Sequence, residues 1–232
     1  MSDDHSEQTR RSGSGTILFF KRSGTDKDAT PHEPLFNLPP YTKWALAILL
    51  GTHLLLHFAL SDNAYNWVFT NLGFIPARIG GDLPFTLWTV LTPFTYMALH
   101  ASWLHLIMNG VMLLAFGSGI ERWMGGRRMV IFSVLCGLIA VATHFALNPH
   151  SMQPVVGASG AISGLFAAAL IMINRGQQEL GGRFGLLPFI VIWVGISIAF
   201  GMTGAPDGSA IAWAAHVGGF LGGFAVLKLM RV

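Results

Sequence analysis

The sequence predicts an all-α membrane protein, a bundle of six transmembrane helices with a large loop between the first two. Three observations carry this expectation. Hydrophobic residues make up 52% of the 232 residues and charged residues only 11%, whereas a soluble domain carries about a quarter of its residues charged. Uncharged apolar stretches follow one another with no polar block large enough to form a second domain. The positive charges, finally, fall almost wholly on one side of the membrane that those stretches define.

Each element can be justified in chain order. Residues 1–40 are rich in Ser, Gly, Asp, Lys and Pro and hold no sustained apolar period, so they read as a loosely folded polar tail without a secretory signal. Residues 41–232 read as one membrane domain. Its first span, 44–60, is uncharged throughout. The loop at 61–102 carries Tyr65, Trp67, Phe69, Phe74 and Trp88, which suit a membrane interface. Spans two and three, at 103–120 and 129–147, enclose a short basic turn with Arg122, Arg127 and Arg128. The fourth, 159–173, is short against the ~20 residues that cross a bilayer as helix, and the fifth and sixth, 185–202 and 209–227, are close to that length.

With six spans, thirteen of the fourteen Lys and Arg lie on the side of the termini and only Arg78 lies opposite. Such an imbalance puts both termini in the cytoplasm. It also accounts for the net charge of +3 without nucleic acid; the partner it implies is the lipid bilayer, with the basic tail drawn to anionic headgroups. Cys136 is the single cysteine and lies mid-span, which rules out an internal disulfide or a cysteine metal cluster.

Polar side chains at membrane depth are expensive and point to function. On the extracytoplasmic half these are His105 and Asn109 in span two, Ser159 and Ser163 in span four, and His216 in span six. Helical rise places His216 about 10 Å and Asn109 about 9 Å below the outer surface, and the shortness of span four leaves Ser159 roughly 8 Å below it. Three helices thus bring Ser, His and Asn to one level. Gly160 with Gly164, Gly218 with Gly222 and Gly219 with Gly223 are GxxxG pairs that let backbones approach closely.

At that level a neutral histidine can take the proton of a serine hydroxyl and return it to a leaving amine. The Ser159 backbone N–H and the Asn109 amide could face the oxyanion. Asp62, Asp82 and Asp207 are the only acids on the same side, all in loops, and Glu121 sits at the cytoplasmic end, so a Ser/His dyad is expected rather than a triad. Ser163, one turn deeper than Ser159, would steady His216 at most.

GASG at 157–160, AHVGGFLGG at 215–223 and HLIMN at 105–109 resemble the rhomboid family of intramembrane serine proteases, over roughly residues 41–230. The resemblance implies a rhomboid-like six-helix fold. It implies Ser159 as nucleophile and His216 as general base, with His105, Asn109 and Gly157 around the oxyanion. Glu121 and Gly125, matching an ExxxG pattern, would be architectural. The implied activity is cleavage of transmembrane segments of other proteins near the outer face, without cofactor or metal, in a multi-pass protein of a bacterial inner membrane. Two departures stand out. Leu91 and Thr92 replace the Trp-Arg pair that anchors the first loop in many members, and Ser163 replaces a tyrosine that stacks on the catalytic imidazole in some.

The other histidines have plainer readings. His53 and His57 share a helix face but lack an acidic or cysteine companion, so packing or a hydrogen bond is expected there. His100 would support the site from the loop, and His144 and His150 would be interfacial. A zinc protease would need HExxH, an aspartyl protease two intramembrane carboxylates, and a coupled transporter chains of acids and bases, all absent from the spans. The remaining alternative is a catalytically silent rhomboid-like binder of transmembrane helices. Substrate identity and oligomeric state leave no signal in the sequence.

Overall fold

The computed structural model describes residues 38–176, 185–204 and 212–231. The tail at 1–37 and most of the loop at 203–208, Asp207 included, lie outside them. The described chain is helical: α1 (Pro40–Phe58), α2 (Asp62–Leu72), α3 (Pro76–Gly80), α4 (Thr92–Thr95), α5 (Trp103–Met112), α6 (Ser118–Met124), α7 (Gly126–Leu147), α8 (Ser159–Gly176), α9 (Leu187–Thr203) and α10 (Trp213–Met230). A wide π turn at Leu113–Gly117 joins α5 and α6 into one continuous helix. Three helices, Trp103–Met124, Gly126–Leu147 and Trp213–Met230, are long and apolar enough to cross a membrane, and α8 and α9 are shorter apolar helices.

α10 packs mainly between α7 and α8, and its glycines explain how. Gly219 and Gly223 lie against the backbone of Gly160 and Gly164 on α8, while Gly218 and Gly222 lie against Thr143 and Ile139 on α7. One helix therefore uses two glycine rows on two faces, which matches the recurrence in the sequence. Below this contact, Leu113, Ile120, Phe132, Cys136, Leu165 and Val226 form the main buried core.

The start of α1 is tied to the end of α6. Glu121, buried, accepts the Tyr41 N–H at 3.0 Å, the Thr42 N–H at 2.7 Å and the Thr42 hydroxyl at 2.7 Å. The two backbone N–H groups are donors that a helix N-terminus otherwise leaves unpaired. The ring of Tyr41 also packs where any side chain at Gly126 would stand, and Gly125 turns the chain with φ +86°. Glu121 is thus architectural, as the ExxxG resemblance implied.

The loop between α1 and α5 is folded rather than open. Phe74 and Val155 pair as a short antiparallel bridge, the Ala77 N–H donates to the Ser151 carbonyl at 3.0 Å, and Asp82 meets His150 Nδ1 at 2.7 Å. Tyr96 is buried and donates its hydroxyl to the Gly137 carbonyl at 2.8 Å. Tyrosine and backbone pairing therefore hold the loop in a chain that has Leu91 and Thr92 where the resemblance led to the expectation of a Trp-Arg pair.

Candidate active site

The segment bridged to Phe74 at Val155 leads into α8. Gly157 makes the turn with φ +108°, and a Cβ there would stand 2.6 Å from His105 Nε2, so conformation and space both require glycine. Its N–H donates to the Tyr96 carbonyl at 2.9 Å. This differs from the expected placing of Gly157 among the oxyanion groups: its donor is spent on the loop, and its contribution is the turn. Ile162 N–H bonds the Ala158 carbonyl at 2.9 Å, which makes Ser159 the first residue of α8, where backbone N–H groups have no helical acceptor.

His216 lies one turn into α10, with Nε2 2.8 Å from Ser159 Oγ. The glycine contact explains this distance, because Gly160 follows Ser159 directly, Gly219 lies one turn beyond His216, and the two glycines meet by backbone. Ser163 is buried and donates its hydroxyl to the Ser159 carbonyl at 2.8 Å. The hydroxyl is therefore held by its own helix and does not steady the imidazole, since an i−4 carbonyl is always within its reach.

On α5, Asn109 is buried and donates one Nδ2 hydrogen to the His105 carbonyl at 2.8 Å, leaving the other amide hydrogen for the cavity. His105 packs against His100, ring centroids 5.1 Å apart. His100 is fully buried, and burial, with the adjacent His105 adding to it, pushes its imidazole down to about 3, so it stands neutral beside His105.

Ser159, His216, His105 and Asn109 all line one cavity of about 520 Å³. No carboxylate lines it among the described residues. Asp82 is taken up by His150 at the surface, and Asp62 lines a separate cavity with His53 and His57. Among the described residues no group of three His, Cys, Asp or Glu is arranged to hold a metal.

Sequence reasoning missed two residues of this cavity. His144, expected at the interface, is buried on the cavity wall, and Tyr96 lines it too. The signal for His144 was its spacing from Gly137 and Ala140, which puts the three on one face of α7. Ala140 meets Gly160 on that face.

Residues 84–231, well over half of the chain, match the family model of the rhomboid domain. The chain belongs to the rhomboid family. Its relatives include rhomboid protease GluP of Bacillus subtilis, 27% identical over 59% of this chain. RHOMBOID-like protein 5 of Arabidopsis thaliana is 29% identical over 54%, and rhomboid-like protease 3 of Toxoplasma gondii is 28% identical over 62%. The match spans 25%, 39% and 51% of those relatives' own lengths. In this rhomboid chain, the matched region contains α5 to α10 and with them the whole cavity described above.

Proposed function

We propose that this chain is an intramembrane serine endopeptidase that cleaves transmembrane segments of other proteins near the extracytoplasmic face. The observation that carries the reading is the 2.8 Å approach of Ser159 Oγ to His216 Nε2 at a helix start, inside a cavity whose described lining holds no carboxylate. In this reading the membrane domain, 41–232, crosses the bilayer six times, with α1, α8 and α9 as spans beside the three longer ones. The tail at 1–40 and both termini are cytoplasmic.

The chemistry follows from the groups present. Ser159 Oγ attacks the scissile carbonyl carbon and passes its proton to His216 Nε2. The oxyanion meets the free N–H groups at the start of α8 and the remaining Asn109 hydrogen, with His105 beside them. As the C–N bond breaks, the imidazolium protonates the leaving amine. Water then attacks the acyl-serine, gives its proton to His216, and releases the acid and the free hydroxyl. The cavity wall between Met108 and Met112 of α5 and Trp193 and Ile196 of α9 is apolar and gives a substrate helix a lateral approach from lipid.

The test is a serine-directed covalent probe combined with mass spectrometry of membrane peptides from cells with and without the protein. The reading requires an adduct on Ser159 and protein-dependent peptides ending within or beside transmembrane segments. A chain that binds transmembrane helices but yields neither is the silent binder.

A further inference from the structure

The dyad leaves the buried imidazole of His144 unused in its cavity. His144 is only 9% exposed, and its Nδ1 is buried without a hydrogen-bond partner among the described residues. It stands on the wall of the cavity that holds Ser159 and His216. Helix packing puts it there. The carbonyl of Gly137 takes the Tyr96 hydroxyl and the Cβ of Ala140 faces Gly160, so the α7 face that seats the start of α8 also presents His144, one turn further toward the outer end. His216 and His144 lie within electrostatic range of each other.

Among the described residues, the polar groups on the wall around this pair are His105 and Asn109 from α5, Tyr96 from the first loop, Ser151 and Gln153 from the segment before α8, Ser159 and Ser163 from α8, and Trp193 and Ser197 from α9. None of these is a carboxylate. Two imidazoles in a mostly apolar cavity with no acid among its described lining residues resist being charged together, because like charges held close repel.

We propose that His144 is a positioning residue that acts on the dyad through its charge state. While neutral, it permits His216 to become the imidazolium that acyl transfer requires; once protonated, it opposes that step. The inference rests on the dyad reading above. Its consequence is that protonation at either imidazole silences the cavity, and the acid limb of the activity profile reports one proton shared by the pair rather than that of His216 alone.

The test follows kcat/KM of the full chain in liposomes across the acid limb, using a transmembrane substrate without titratable side chains, for the parent, His144→Gln and His144→Phe. Because repulsion leaves a single proton shared between the two imidazoles, both variants should move the midpoint of the acid limb of kcat/KM to lower pH and keep the alkaline plateau within about tenfold of the parent. Thermal unfolding and probe labelling of Ser159 on the plateau establish that each variant is folded, and His144→Gln decides alone if His144→Phe is not. An unchanged midpoint in a folded variant overturns the proposal. A midpoint lowered by Phe but not by Gln also overturns it, because packing rather than charge would then be at work. Cleavage that survives Ser159→Ala is the separate result that removes the dyad reading itself.

Discussion

The carbonyl oxygen of Gly160 rests so near the Cα of Gly219 that a Cβ on Gly219 would overlap it. This backbone contact between α8 and α10 sets the separation of Ser159 and His216. Gly219→Ala must push the helices apart, at a cost of about 1–3 kcal/mol of overpacking. A displacement near 1 Å at a reacting pair lowers turnover by about a hundredfold. Cleavage assays should show that loss while the variant still folds. Gly51→Ala and Gly195→Ala, where a Cβ would meet nothing within 4 Å, should cleave like the parent.

Ser159→Ala should abolish both cleavage and covalent labelling. Ser163→Ala should retain both, because the Ser163 hydroxyl is bonded to the Ser159 carbonyl at 2.8 Å and does not face the imidazole. Peptide mapping of the probe adduct checks the assignment, and an adduct on Ser163 would reverse it.

Asn109→Ala should lower kcat by about 10² to 10³ with a smaller effect on KM, the usual cost of removing one oxyanion donor. The amide bond to the His105 carbonyl also ties α5 internally, so the kinetic split is the informative readout. Wild-type kcat in a folded variant would leave Asn109 with the helix tie alone.

No acid should be needed to orient His216. Asp62→Asn, Asp82→Asn and Asp207→Asn should each keep most activity. Asp82 is engaged with His150 at the surface, and exposed pairs contribute little. A loss of about a thousandfold in any of them, measured as kcat/KM, would reveal a third catalytic member.

Glu121→Ala should destabilise the fold by about 2–5 kcal/mol, since it strips the acceptor from three donors at the start of α1. Glu121→Gln, which keeps one carbonyl oxygen, should recover part of that. Thermal unfolding in detergent reads the difference, and equal midpoints for Glu121→Ala and the parent would contradict the capping role.

Much of this protein was legible in its sequence because the relevant signals are local. Uncharged runs mark the apolar helices, GxxxG recurrences mark the faces of α8 and α10 that touch, and a serine after Gly157 and Ala158 marks a helix start whose N–H groups are free. That Ser159, His216 and Asn109 come to one cavity was expected from helical rise alone. What tertiary structure decided is which group each donor meets. Tyr96 holds the first loop by reaching Gly137 and by accepting from Gly157, residues far along the chain that no spacing relates to it. Ser163 turned to its own helix although its position beneath Ser159 left the imidazole open as a partner. His144 shares a helix face with Gly137 and Ala140, but whether that face meets lipid or a cavity depends on the glycine rows of α10, which draw α8 close beside it. Periodicity fixes the direction in which a side chain leaves its helix; only packing fixes what stands there to receive it.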